Sequence, residues 1–144
     1  MKPDPTNPQM LLHLEGAALF IGSLVLYAEL GVSWWLFVLL FLAPDLSLLA
    51  YLGRDKRLAA ICYNAAHTYV FPVGLFVLGF IAERGWMMGL ALIWVAHIGF
   101  DRLIGFGLKY TTTFKPTHLQ QSGIVPEPVL EAAPEPPIGD PEAA

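Results

Sequence analysis

The sequence predicts an all-α fold, an integral membrane bundle of four transmembrane helices with a disordered, acidic, proline-rich C-terminal tail. Three observations carry that prediction. The 144-residue chain is 56% hydrophobic and only 14% charged, with a mean hydropathy of +0.56, whereas about 25% of an ordinary soluble domain is charged. Its apolar residues are blocked into long runs rather than spread at amphipathic spacing. Its basic residues fall in alternate gaps between those runs.

Residues 1–9, "MKPDPTNPQ", are polar and proline-broken, which makes them an extended lead-in. The membrane domain covers 10–119, with spans at about 10–30, 32–52, 58–82 and 86–108. Each is near or above the roughly 20 residues that cross about 30 Å of hydrocarbon. The first run exceeds the roughly 7–15 apolar residues of a signal peptide and follows a weakly basic segment, so a retained helix is expected. Pro44 and Pro72 lie inside the second and third runs. A kink rather than a break is expected at each, since neighbouring helices satisfy the freed carbonyls. Gly85 and Gly89 are spaced for close helix contact.

Orientation follows from the positive charges. Lys2, Arg54, Lys56, Arg57, Arg102, Lys109 and Lys115 fall on one side of a four-span chain, and Arg84 alone falls on the other. Both termini are therefore expected in the cytoplasm, with Trp34, Trp35 and Trp86 as an aromatic belt at the far interface. Residues 120–144 hold six of the twelve prolines and Glu127, Glu131, Glu135, Asp140 and Glu142, too polar a composition to fold. Without those five acids the chain is nearly neutral, and no clustered basic surface suggests nucleic acid. The single cysteine, Cys62, has no partner for an intramolecular disulfide. The lipid bilayer is the expected partner, and the small size leaves room for a membrane-protein partner.

The four-span topology places the polar side chains. His13 and Glu15 enter with run one, Asp45 lies near the exit of run two, and Tyr63, Asn64 and His67 open run three. His97 and Asp101 close run four. At about 1.5 Å per residue all of these share one slab in the inner half of the bilayer. The outer half carries only Tyr27 among ionisable groups. Ionisable groups inside a membrane cost about 2.5–3.5 kcal/mol each and usually face a cavity or the bundle interior, so a cytoplasm-facing pocket is expected. His97 and Asp101 are related as i,i+4, as are Tyr63 and His67. His118 follows the last helix and is placed to fold back over the pocket.

The stretches "PDLSLLAY", "YNAAHTY", "HIGFDRLIGFGLKY" and "FKPTHL", with "LEG" at 14–16 and "SWW" at 33–35, resemble a small bacterial membrane family, domain of unknown function 4260. The resemblance covers Leu11 to about Leu119 and excludes the tail. It implies a compact multi-spanning protein of the bacterial inner membrane, with Glu15, Asp45, Tyr63, Asn64, His67, His97, Asp101 and His118 as signature residues. It brings no activity with it.

Three chemistries fit these residues. His67, His97, Asp45 and Asp101, extended by His118, make a donor set for a divalent metal such as zinc, with Glu15 as a general base and Tyr63 and Asn64 in support. That points to a hydrolase-like enzyme acting on a lipid or amphiphile. The same residues suit a proton relay or small-solute carrier, although the dry outer half argues against a pathway. They also suit a hydrogen-bonded network that sets helix register in an accessory subunit of a membrane complex. Ser47 is expected to bond the i−4 carbonyl of its own helix rather than act as a nucleophile.

Overall fold

A computed structural model describes residues 8–109. These residues form α1 (Pro8–Glu29), α2 (Trp34–Leu40), a 3₁₀ helix (Ala43–Leu52), α3 (Lys56–Ala66), α4 (Val70–Ile81) and α5 (Gly85–Leu103). Three segments are long and apolar enough to cross a membrane: Pro8–Glu29, Trp34–Leu52 and Lys56–Ile81. Leu39, Val38, Val70, Phe80 and Ile81 are among the large apolar side chains these segments turn outward. The lead-in before Pro8, His118 and the acidic tail lie outside the described residues.

The fourth apolar run is the central helix. α5 packs against both α1 and α4, while α3 packs against the 3₁₀ helix. Ala91, Ile93, Ala96, His97 and Ile98 of α5 are all essentially inaccessible. This helix bears His97, Asp101 and Arg102, and its middle, with His97, is enclosed by protein, the setting in which ionisable groups among apolar segments are tolerated. It ends at Leu103, five residues short of the sequence expectation, because Gly105 adopts φ +92 and turns the chain away. The His13 ring donates from Nδ1 to the Leu103 carbonyl at 2.9 Å and satisfies part of that helix end.

The two proline-containing runs are broken rather than kinked. α2 stops at Leu40, four residues before Pro44, and the chain resumes as a 3₁₀ helix. α3 stops at Ala66, and His67, Thr68 and Tyr69 lie between it and α4. Thr68 is four residues before Pro72. A proline ring clashes with the carbonyl at i−4 and donates no hydrogen bond to it, so each break sits where its proline forbids α-helical continuation. Pro72 then falls in the first turn of α4, where its missing N–H costs little.

Of the two glycines spaced for close contact, Gly89 makes one, a Cβ there coming within 3.2 Å of Val32 Cγ2. At Gly85 it would meet nothing within 4 Å, and the tightest approach between α1 and α5 lies elsewhere. At Gly16 a Cβ would come within 2.6 Å of Arg102 Cβ and 2.8 Å of the Gly99 carbonyl, and at Gly99 within 2.8 Å of Phe20 N. The backbones of α1 and α5 therefore touch at Gly16 and Gly99, one turn from Asp101. At the other end Tyr27 is fully buried, donates to the Ser33 carbonyl at 2.8 Å and packs edge-on against Phe37 and Trp34. Asp55 starts α3 by accepting from the amides of Arg57 and Leu58 at 2.9 and 3.0 Å, and Lys56 donates to the Tyr51 and Gly53 carbonyls that end the 3₁₀ helix.

Candidate functional site

The two helix breaks deliver two of the four residues that meet at the centre of the fold. Asp45 directly follows Pro44 at the start of the 3₁₀ helix, and His67 is the C-cap of α3. His97 and Asp101 come from successive turns of α5. The Trp94 indole draws the pieces together by donating to the Ala66 carbonyl at 2.6 Å, which pins the end of α3 beside His97.

His67 Nε2 and His97 Nε2 face each other at 3.3 Å. Asp45 Oδ1 lies 3.3 Å from the first and 3.5 Å from the second. Asp101 Oδ2 lies 3.5 and 3.6 Å from the same two atoms. All four donor atoms are within 4.8 Å of one another. Both histidines are nearly inaccessible, the Asp101 side chain is 14% exposed and that of Asp45 is 40% exposed. The cluster is thus closed on the histidine side and open at Asp45.

Neighbouring groups orient the rings. His67 Nδ1 donates to the Tyr63 carbonyl at 2.9 Å, one turn back, and the Tyr63 ring stacks on the imidazole at 3.9 Å and 16°. With its Nδ1 proton so engaged, a neutral His67 turns the Nε2 lone pair into the cluster. The Phe41 ring meets His97 edge-on at 5.5 Å. His97 Nδ1 is buried with no hydrogen bond of good geometry among the described residues, and the Phe41 carbonyl is the backbone acceptor that acts on the ring. That carbonyl is left over at the break, since the Asp45 amide bonds Leu42 instead.

The other sequence candidates fall around the cluster. Tyr63 touches His67 directly. Asn64 bonds the backbone of Lys109 in both directions at 2.8 Å, holding the segment after α5 against α3. Glu15 is exposed on α1 and is not among the four donors. Tyr69, between α3 and α4, feels Arg102, Asp101 and Glu15 electrostatically. The sequence reading did not single out Phe41, Trp94 or Tyr51. Lys109 Nζ lies over the rings of Tyr51 and Tyr63, 4.8 and 4.6 Å from their centroids.

Beside the cluster is an apolar cavity of about 410 Å³, walled by Ala43, Pro44, Ala66, Leu90, Ile93 and Trp94 among others. Its one polar side chain is Ser47, whose Oγ is buried with no hydrogen-bond partner among the described residues. The expected bond to the i−4 carbonyl is absent because 3₁₀ winding moves that carbonyl out of line. In the regular α1, Ser23 makes it at 2.7 Å to Leu19.

Among known proteins, the model of the family described as "Domain of unknown function (DUF4260)" matches residues 9–122. The chain belongs to this family. The match covers every element of the fold and stops just inside the acidic tail. No curated protein and no solved structure matches the chain. Membership in domain of unknown function 4260 identifies the chain without supplying an activity, so function rests on the geometry of the cluster.

Proposed function

We propose that this member of domain of unknown function 4260 is a membrane-embedded, metal-dependent enzyme, hydrolase-like, acting on a lipid or amphiphile. In this reading His67, His97 and Asp101 hold a divalent ion and Asp45 completes the set at the open side. The observation that carries it is the spacing of the donors. A tetrahedral ion with ligand bonds of about 2.0–2.1 Å needs its ligands about 3.3–3.4 Å apart. Five of the six separations among these four atoms lie between 3.3 and 3.6 Å. The sixth, between the two carboxylate oxygens, is the looser edge.

Charge supports the same reading. Two carboxylates and two imidazole lone pairs converge in an apolar surround, an arrangement that a cation relieves and that neutral histidines alone do not. Imidazole and carboxylate suit zinc, manganese or iron. An ion held by the two histidines and Asp101 would supply Lewis-acid activation of water where Asp45 gives up its place. Asp45, the exposed member, is placed to accept that water's proton and is the ligand free to yield. Glu15 and His118 are not needed for this role.

The reading includes the topology: four spans in a bacterial inner membrane, both termini cytoplasmic, with the cluster opening inward. The folded unit is 10–119, followed by the 120–144 tail. Proton relay or solute binding is the second reading, favoured by one observation: broken helices meeting at an intramembrane polar site are a transporter device. The distinguishing experiment is elemental analysis of the full-length protein after gentle detergent purification, beside the His67→Ala/His97→Ala double variant. One equivalent of metal in the first and none in the second is expected. A folded protein with well under one equivalent after incubation with zinc, manganese or iron would refute the enzyme reading.

A further inference from the structure

The elements around the cluster form two packed units. One is a hairpin, the 3₁₀ helix (Ala43–Leu52) and α3 (Lys56–Ala66), whose legs pack on each other. Lys56 closes its tip on the Tyr51 and Gly53 carbonyls, and the Lys109 ammonium lies over Tyr51 of one leg and Tyr63 of the other. The second unit is the body, in which α5 packs against α1 and α4. Phe37 ties α2 to it by packing with Tyr27, Leu92, Ile93 and Ala96. The chain passes between the units at the two helix breaks, through Phe41 and Leu42 and through His67, Thr68 and Tyr69.

Between hairpin and body lie an apolar space and a polar seam. The space is the cavity of about 410 Å³, walled by Pro44, Ser47 and Ala66 from the hairpin and by Leu75, Leu90 and Ile93 from the body. Protein interiors are ordinarily packed with few voids, so the two units meet here without filling the volume between them. The 3₁₀ helix leaves all ten of its residues at least partly accessible, whereas α5 buries eight. The seam includes the Trp94–Ala66 hydrogen bond and the cluster. Asp45 and His67 stand at the hairpin's two ends, and His97 and Asp101 belong to the body. The approaches of His67 to His97 and Asp101, at 3.3 and 3.5 Å, and of Asp45 to His97, at 3.5 Å, therefore cross from one unit to the other.

We infer, on the metal reading above, that the ion regulates the width of the cavity. Bound, it draws the hairpin onto the body; its departure lets the broken end of the hairpin move off α4 and α5 and opens the cavity to the bilayer. Cavity wall and cluster are neighbours in sequence, so one cannot move without the other. Pro44 precedes Asp45, Ala66 precedes His67, and Ile93 lies one turn before His97. Charge drives both directions. The donor oxygens of Asp45 and Asp101 face each other across the seam within 4.8 Å. Two carboxylates so close in an apolar surround repel, whereas a divalent ion between them attracts both and ligates the two imidazoles. The breaks permit the movement, because short non-helical stretches at element ends absorb the φ/ψ changes of such shifts.

The test uses the full-length protein in detergent, carrying Cys62→Ser and spin labels at Leu46→Cys on the 3₁₀ helix and Leu78→Cys on α4, both exposed positions. A second pair, Ile21→Cys on α1 with Leu78→Cys, lies within the body. Distances are read by pulsed electron resonance with zinc and with chelator, and zinc content is measured on every sample. The first pair is expected to shift to longer distance on chelation and to return with zinc, while the second stays put. Asp45→Asn removes the repulsion together with a ligand. Its first pair should stay short in chelator and respond little to zinc, and Asp101→Asn gives the same reading if that variant does not fold. One equivalent of zinc with an unmoved first pair would overturn the inference and leave the metal reading intact. So would an Asp45→Asn protein as open in chelator as the unsubstituted one, or equal movement of both pairs. Failure to take up zinc would instead bring down the metal reading, and its regulation of the cavity with it.

Discussion

His67 Nε2 and His97 Nε2 lie 3.3 Å apart, on helices otherwise joined by the Trp94–Ala66 hydrogen bond, and the carboxylates of Asp45 and Asp101 both lie within 3.6 Å of each nitrogen. Two ring nitrogens approach so closely when a proton or a cation sits between the groups. Which of the two it is decides whether the cluster is a hydrogen-bonded brace or a chemical centre, and the alternatives respond oppositely to removal of charge.

Asp101→Asn separates them. In protein stripped by a chelator, the change removes the less exposed of the two carboxylates and should raise thermal stability by about 1–3 kcal/mol, the scale of an unsatisfied buried polar group. In protein purified with metal it should lower stability and occupancy together, because it deletes a ligand. Thermal unfolding in detergent, with and without chelator, reads both arms. The same sign in both would mean that no metal is held there.

Pro44 governs the site from outside it. Pro44→Ala restores the amide that α-helical winding needs and lifts the ring's clash with the Leu40 carbonyl. The 34–52 segment should then gain α-helix by circular dichroism. Continuous α winding turns Asp45 to a new azimuth and closes the Phe41 carbonyl into the ladder, so metal affinity should fall about 10–100-fold, the range for lost supporting contacts. A variant with more helix and unchanged metal affinity would show that the break does not place Asp45.

The apolar runs, the convergence of Asp45, His67, His97 and Asp101 and the pairing of His97 with Asp101 were legible from hydropathy and i,i+4 spacing. Much of what was not legible follows from breaking a helix. Sequence rules place a proline in a membrane helix and expect a kink, because they do not know what the adjacent carbonyls will meet. Here the breaks turn Asp45 and His67 into helix-end residues and leave Ser47 without its usual bond, while Gly105, at positive φ, separately ends α5 early. Glu15 was drawn into the site by depth alone. Depth says nothing of azimuth, and α1 presents Gly16, not Glu15, to α5.

That contact can be tested by steric change. A methyl at Gly99 would lie 2.8 Å from the Phe20 amide nitrogen and 2.9 Å from the Gly16 carbonyl, both backbone atoms of a regular helix. Gly99→Ala should therefore push α1 away from α5 and cost about 1–3 kcal/mol, as overpacking does. Gly22→Ala, with nothing within 4 Å of the new Cβ, is the control and should be neutral or slightly stabilising. Equal melting behaviour of the two variants would mean that the α1–α5 packing is looser than the geometry states.

Topology has a direct chemical readout. Arg54 and Arg57 lie in the loop between the second and third runs, and Glu83 in the turn between α4 and α5, where it takes φ 53. In a Cys62→Ser background, Arg54→Cys and Glu83→Cys should label from opposite sides with a membrane-impermeant maleimide on sealed cells and inverted vesicles. Arg54→Cys should react only in the inverted vesicles if the basic loop is cytoplasmic. Labelling of both sites from the same side would mean that the Lys56–Ile81 segment between them does not cross, and would remove one span.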